Sequence, residues 1–175
     1  MKETLTERPP KVVVSKGAKM WYITVYLHVT EVDGGFECES FSAEVDHRPA
    51  IGDVRDAIIA YINAETDEKI LTGYQWTVLH GEHAGQTVYV WLSKENQDNF
   101  KAKHDAAIIY PDRVTFPFSY KISEDADHKA IYETFQNIGE LAAFYLGGLA
   151  YIDQCYGAGW VEKDAVDEWL EDVVL

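Results

Sequence analysis

The sequence predicts an α+β protein in which antiparallel β-hairpins pack against helices, with two helices near the C-terminal end. Two kinds of segment predict this fold class. Some runs alternate apolar and polar residues and are joined by short polar turns, which is typical of strands with one buried face. Others carry apolar residues at helical spacing, which indicates helices with one buried stripe.

The first hairpin is predicted at residues 21–45. Residues 21–32 alternate apolar and polar side chains, Asp33-Gly34-Gly35 supplies a tight turn, and residues 36–45 form the returning strand. The apolar register of that second strand changes, which predicts a bulge near Glu39-Ser40. A helix over about residues 52–65 follows.

A second hairpin and a further helix come next. Residues 74–79 and 86–92 are predicted as strands around a polar, glycine-containing loop. Ser93 is a suitable N-cap for a helix that continues to about Ile109, before Pro111. The expected inner stripe of this helix consists of Phe100, His104, Ala107 and Ile108, with His104 as a hydrogen-bonded core histidine.

The third hairpin precedes the C-terminal helices. Residues 114–122 alternate as a strand, and Pro117 within them predicts an edge strand because proline donates no ladder hydrogen bond. Residues 130–135 are the predicted return strand. Asn137 and Glu140 resemble a capping box at the start of a long apolar helix.

That apolar helix is predicted to end at about Tyr156, where Gly157 and Gly159 supply a stop, and a last helix is predicted over about residues 162–174. Its small residues, Ala143, Gly147 and Gly148, predict that another group packs closely against it.

The domain organisation is predicted in three parts. Residues 1–19 are expected to form a flexible arm, because Pro9 and Pro10 interrupt regular structure. The alternative for part of this arm is a short added strand at Val12, Val13 and Val14, ended by Lys16 and Gly17. Residues 20–92 and 93–175 then form two modules, or one continuous domain.

Charge and cysteine content limit the classes of partner. The 175 residues carry 30 acidic and 15 basic side chains, a net charge of −15, and the lysines and arginines form no cluster. Binding to nucleic acid or to an anionic membrane is therefore disfavoured. Two cysteines and an N-terminus without an apolar core predict free thiols and a cytoplasmic location.

Candidate chemical sites are few. One candidate metal site consists of His80, Glu82 and His83, which fall within four residues. Zinc usually has three or four protein ligands, and the sequence identifies no further ligand for this group. Cys155 follows an apolar run and has acidic residues nearby, which favours a core position over a nucleophile. With no catalytic motif, we expect no enzyme activity and no cofactor.

The C-terminal helices are the predicted interaction surface. The residues expected to carry it are Trp160, Trp169, Leu170 and Val173. Exposed apolar stripes usually mark interfaces, so a homo-oligomer or a protein partner is one interpretation. The other is that the last helix covers the helix before it and completes a monomeric core.

The second half of the chain resembles a known group of proteins. The resemblance lies in residues 91–100, 114–122, 132–135, 141–154 and 159–164. In this order they resemble the C-terminal domain of proteins encoded beside tail genes in phages and gut-bacterial prophages, some of them labelled tail-fibre or tail-assembly components. The resemblance implies a phage-derived structural or assembly accessory protein, with phage tail components as partners and with the cytoplasm of the bacterial host or the virion as its location. It implies no catalytic residues.

Three functions follow as expectations. The first is an accessory protein that acts through protein–protein interaction. The second is an acidic inhibitor or nucleic-acid mimic, which would place its acidic residues along one exposed face. The third is a small metal-dependent enzyme built on His80 and His83.

Overall fold

The computed structural model describes residues 2–175, and Met1 lies outside them. Strands and helices alternate along the chain, and every strand pairing is antiparallel, which confirms the α+β fold class. The strands are β1 (Lys2–Leu5), β2 (Val12–Lys16), β3 (Trp21–Val32), β4 (Gly35–Val45), β5 (Tyr74–Thr77), β6 (Thr87–Val90), β7 (Phe118–Glu124) and β8 (Ala130–Phe135). The helices are α1 (Ile51–Gly73), α2 (Lys94–Ile109), α3 (Ile138–Asp164) and the short α4 (Val166–Leu170).

The first of two compact units comprises the residues up to Ala64 together with Gly159–Leu175. Its sheet has four strands in the order β1-β4-β3-β2. The inward side chains of β3 pack with the first half of α1 and with α4, because β3 alternates apolar and polar residues as the sequence predicts. The core consists of Ile23, Val25, Val54, Ile58, Ile62, Val166 and Leu170.

The bulge in the first hairpin lies in β3 rather than at Glu39-Ser40 of β4. Leu27 pairs with Glu39 and Thr30 pairs with Glu37, so two residues of β3 stand opposite Cys38. One of them, His28, has a φ of 52°, the left-handed conformation that admits an extra residue. The register change was therefore predicted close to its position along the hairpin but on the wrong strand.

The N-terminal segment is not a flexible arm over its whole length, so that prediction is wrong for two stretches. β1 pairs with β4, from Lys2 opposite Glu39 to Leu5 opposite Phe36, and β2 pairs with β3. Both strands form the edges of the sheet, and Pro9 and Pro10 lie between them. A proline pair interrupts regular structure locally but does not prevent pairing on either side of it.

The second unit comprises residues 65–158 and contains the other two hairpins. β5 pairs with β6 and β7 pairs with β8, which confirms both predicted hairpins. The Trp91 N–H donates to the Ile122 carbonyl at 3.3 Å, so the two hairpins meet at this point. The division of the chain at residues 64/65 and 158/159 differs from the module boundary predicted near Ser93.

Two helices are longer than predicted. α1 continues to Gly73 instead of ending near Glu65, and α3 passes through Gly157 and Gly159 to Asp164. A glycine stop requires the left-handed conformation, and neither glycine has a positive φ. The last helix is correspondingly reduced to α4, five residues long.

The third hairpin is shorter at its start than predicted. β7 begins at Phe118, directly after Pro117, and a 3-10 turn at Pro111–Arg113 precedes it. Val114 and Phe116 still pack against the core but do not belong to the strand. Proline at this position lacks the N–H that the ladder would need.

Candidate functional site

A cavity of about 120 Å³ opens between α2 and α3 within the second unit. Its lining combines an apolar floor with a polar mouth. The floor consists of Tyr74, Leu92, Phe100, Phe144, Gly148 and Ile152. Lys94, Gln97, Asp98, Lys101, Tyr145 and Leu149 surround the opening. We call this cavity the α2–α3 pocket.

The start of α2 places the polar side chains of the mouth. The Ser93 hydroxyl accepts a hydrogen bond from the Asn96 N–H at 3.3 Å, which confirms the predicted N-cap. The Gln97 side-chain amide donates to the Leu92 carbonyl at 2.6 Å, and the Asn96 amide donates to the Trp91 carbonyl at 2.9 Å. The first turn of α2 is thereby fixed to the end of the second hairpin.

The floor of the pocket is an aromatic cluster. Phe144 meets Phe100 at a ring-centroid distance of 5.0 Å and an interplanar angle of 89°, and it meets Tyr74 at 5.9 Å and 61°. These edge-to-face arrangements are the favourable geometry for aromatic pairs. The pocket therefore ends on rigidly held rings.

Tyr74 reaches this cluster because α3 has glycines opposite it. The Tyr74 hydroxyl donates to the Phe144 carbonyl at 3.0 Å, next to Gly147 and Gly148. The close approach predicted from the small residues of this helix is confirmed at Gly147, whereas Ala143 is exposed. Burial raises the pKa of Tyr74 to about 12, so the hydroxyl keeps its proton at physiological pH.

The charges at the mouth are paired along α2. Lys94 contacts Asp98 at 2.7 Å, and Lys101 contacts Asp105. The hydrogen bond and the charge of Asp105 raise the pKa of Lys101, and the hydrogen bond from Lys101 lowers the pKa of Asp105. The mouth is thus polar but close to neutral, while the floor is apolar.

His104 lies one turn beyond Lys101 and does not fit its predicted role as a hydrogen-bonded core histidine. Its ring stacks on Tyr145 at 4.7 Å, and its buried Nδ1 makes no hydrogen bond with any residue the structure describes. The Asp105 carboxylate lies 3.6 Å from Nδ1, beyond hydrogen-bonding distance, and is held by Lys101. Ile108, also predicted on the inner stripe, is exposed.

The three weak metal candidates are held by other partners. His80 Nε2 lies 3.1 Å from Glu140, His83 Nδ1 lies 3.2 Å from the Gln86 amide oxygen, and Glu82 is exposed. Over residues 2–175 no group of three or more His, Cys, Asp or Glu residues has a geometry that could hold a metal ion. The structure therefore does not assemble these candidates into a site.

Glu140 also completes the predicted capping box in a modified form. The Glu140 N–H donates to the Asn137 side chain at 3.1 Å, as in the standard motif. The Glu140 carboxylate accepts from the Gln136 N–H at 2.7 Å, one residue before the cap. This hydrogen bond is the main cause of the lowered pKa of Glu140.

Glu133 is a fully buried carboxylate that the sequence reasoning missed. It accepts hydrogen bonds from the Trp76 indole N–H at 2.6 Å, from the Leu79 N–H at 2.8 Å and from the Thr134 N–H at 2.9 Å. It links the second hairpin to the third. Its burial could have been predicted from the sequence, because Glu133 occupies an inward position of the strand between Ile131 and Phe135.

The four predicted interaction residues separate into two groups. Leu170 is buried in the first unit's core, and Trp169 and Val173 pack against it. Lys11 covers Trp169, with Nζ 5.1 Å from the ring centroid and 2.7 Å from the Trp169 carbonyl oxygen. These three residues therefore belong to the core formed with β3 and α1, and not to a cover over the helix before them. Trp160 differs, because 63% of it is exposed.

The two cysteines, Cys38 and Cys155, are buried and free, as predicted. None of the helices formed by residues 2–175 is long and apolar enough to cross a membrane.

Comparison of the chain with protein-family models, with curated proteins and with solved structures finds no match.

Proposed function

We propose that this protein is an interaction module that binds a protein partner, in the role of a phage- or prophage-derived structural or assembly accessory protein. In this proposal the α2–α3 pocket receives an apolar side chain of the partner. The observation that carries the proposal is the opening of this pocket onto a floor of edge-to-face aromatic rings.

The surface beside the pocket supports the same role. Leu149 at the mouth and Leu146 one turn earlier are both exposed on α3. Apolar side chains beside an aromatic cavity are typical of surfaces that accept an anchor residue from a partner. The paired charges of the mouth, Lys94 with Asp98 and Lys101 with Asp105, would lie at the polar rim of such an interface.

The assembly role is the more specific part of the proposal, and the resemblance of residues 91–164 to tail-associated proteins supports it. The residues that line the pocket agree with a binding role, since they include neither a nucleophile with a neighbouring base nor a pair of close carboxylates.

The test uses the products of the genes adjacent to this one as candidate partners in pairwise binding experiments. Gly148→Val is the informative variant, because a Cβ at Gly148 would make only ordinary contacts, 3.6 Å from Tyr74 and 3.8 Å from Leu92, while the added side chain fills the pocket. Gly157→Val is the matched control on the same helix, since a Cβ at Gly157 has no neighbour within 4 Å.

We expect at least one adjacent gene product to bind the wild type and Gly157→Val equally, and to lose binding to Gly148→Val. Binding that is equally strong for all three proteins would contradict a role for the pocket. Absence of any binding partner among the adjacent gene products would contradict the assembly role.

A further inference from the structure

The outer face of the second and third hairpins carries three exposed aromatic side chains. Tyr89 is 56% exposed, Trp91 is 36% exposed and Tyr132 is 53% exposed. Large aromatic side chains are usually at least partly buried, so three exposed ones on neighbouring hairpins need an explanation. We call the surface formed by Tyr89, Trp91 and Tyr132 the aromatic face. It is separate from the α2–α3 pocket.

Contacts between the second and third hairpins place these rings on one surface. Tyr89 in β6 and Trp91 just after it are both exposed, while Val90 between them is buried. Lys121 Nζ lies 5.2 Å from the Trp91 ring centroid, and Lys121 pairs directly with Tyr132. A row of side chains therefore runs from β6 across β7 to β8.

Hydroxyl and amide groups lie beside the rings. The Gln75 amide donates to the Tyr89 hydroxyl at 3.0 Å. The Thr77 and Thr87 hydroxyls are 3.1 Å apart, and those of Ser119 and Thr134 are 2.8 Å apart. Groups of this kind both donate and accept hydrogen bonds, so they suit a ligand that is itself rich in hydroxyl groups.

The aromatic face is electrically neutral in a protein with a net charge of −15. Its one cation, Lys121, contacts the Glu124 carboxylate at 2.6 Å. The hydrogen bond from Lys121 is the main cause of the lowered pKa of Glu124, and the two opposite charges of this ion pair cancel. The aromatic face therefore has no net charge that would attract a polyanion or a polycation.

We propose that the aromatic face binds a neutral oligosaccharide. The C–H groups on the flat side of a sugar ring pack against exposed aromatic rings, and the ring hydroxyls exchange hydrogen bonds with neighbouring polar side chains. Single-stranded nucleic acid also stacks on aromatic rings, but its binding needs a cationic groove that this face lacks.

The test is a titration of the full chain with three neutral oligosaccharides, namely cellohexaose, mannohexaose and chitohexaose. Binding is measured by isothermal titration calorimetry and by tryptophan fluorescence. We expect saturable binding of at least one of them at millimolar concentration, with a change in the fluorescence of Trp91. Removing one ring, in Tyr89→Ala or Tyr132→Ala, should weaken binding about tenfold.

Tyr110→Ala is the matched control, because Tyr110 is also 56% exposed but lies at the end of α2, outside the aromatic face. It should bind as the wild type does. The proposal is wrong if none of the three sugars binds, if Tyr110→Ala weakens binding as much as Tyr89→Ala, or if single-stranded DNA binds this face more tightly than the sugars.

Discussion

Gly147 and Gly148 are neighbours in α3 with different surroundings. A Cβ at Gly147 would lie 2.6 Å from the Tyr74 hydroxyl oxygen, whereas the nearest atom to a Cβ at Gly148 is 3.6 Å away. The first contact is too short and the second is ordinary. One glycine is therefore required by the fold, and the other leaves the α2–α3 pocket open.

Alanine substitutions should separate these two roles. Gly148→Ala should stabilise the protein by about 0.5–1 kcal/mol, because alanine favours the helical conformation. Gly147→Ala should destabilise it despite the same preference, because Tyr74 must move away from the Phe144 carbonyl. Urea unfolding of both variants measures this, and equal effects of the two substitutions would contradict the packing described.

Glu133 is the second residue on which stability should depend. Glu133→Ala leaves the Trp76 indole N–H and the Leu79 and Thr134 N–H groups without their acceptor, at an expected cost of about 3 kcal/mol or more. Glu82→Ala, at an exposed position of the same unit, should change the free energy of unfolding by less than about 0.5 kcal/mol. Similar values for the two variants in urea unfolding would contradict the role of Glu133.

Local patterns predict individual residues unevenly. The small residues of α3 indicated a close approach, and Tyr74 makes it. The acceptor role of Glu133 depends on donors more than 50 positions away in the sequence, at Trp76 and Leu79, so no local pattern specifies it. His104 was expected to have hydrogen-bond partners. In the structure its ring stacks on Tyr145, and its buried Nδ1 has no hydrogen-bond partner among residues 2–175.

At the scale of elements, the start of α1 is held by a cluster of three titratable side chains. His47 Nδ1 lies 2.9 Å from Asp46 and Nε2 lies 3.2 Å from Asp53, and the Ala50 N–H donates to Asp53 at 2.7 Å. The hydrogen bonds to Asp46 and Asp53 raise the pKa of His47. The hydrogen bond with His47 lowers the pKa of Asp46, and the hydrogen bond from the Ala50 N–H lowers the pKa of Asp53.

This cluster should make the stability of the first unit depend on pH. The contribution of protonated His47 is full below its unfolded pKa and is lost as pH rises through the raised folded pKa. The contribution of the carboxylates is full above their unfolded pKa and is lost as pH falls through the lowered one. The difference in unfolding free energy between wild type and His47→Gln should therefore be largest between about pH 4.5 and 6.5. A difference that does not change from pH 4 to pH 8 would contradict the assignment.

Elements with a strong local signal were predicted well. β3 and β8 have the predicted bounds, because their alternation is regular, and α2 begins at the predicted cap. The edge strand β1 was missed and β2 was considered only as an alternative to a flexible arm, because both form by pairing with β4 and β3 and not from their own pattern. The end of α3 was misplaced because glycine is tolerated within a packed helix.

At the scale of the whole molecule, charge sets the class of partner. Fifteen excess negative charges repel a polyanion, so we expect no binding to double-stranded DNA at about 0.15 M salt. A gel-shift experiment with micromolar protein measures this directly. A clear shift that weakens as salt increases would show that the basic residues act together despite their scattered positions.

The sequence predicts the fold class of the whole molecule but not its division into units or its pocket. The fold class followed from periodicity, whereas the division into two units depends on α1 and α3, each of which contributes residues to both units. The α2–α3 pocket could not be foreseen, because it forms where side chains from β5, α2 and α3 converge.

The most direct test of the central claim is whether the α2–α3 pocket binds an isolated apolar side chain. In a two-dimensional NMR titration, the amide resonances of the protein are followed while N-acetyl-leucinamide or N-acetyl-phenylalaninamide is added. We predict saturable shifts at Gly148, Leu149 and Phe100 in the wild type and in Gly157→Val, and none in Gly148→Val. No saturable shift in the wild type, or the same shifts in folded Gly148→Val, would contradict the claim.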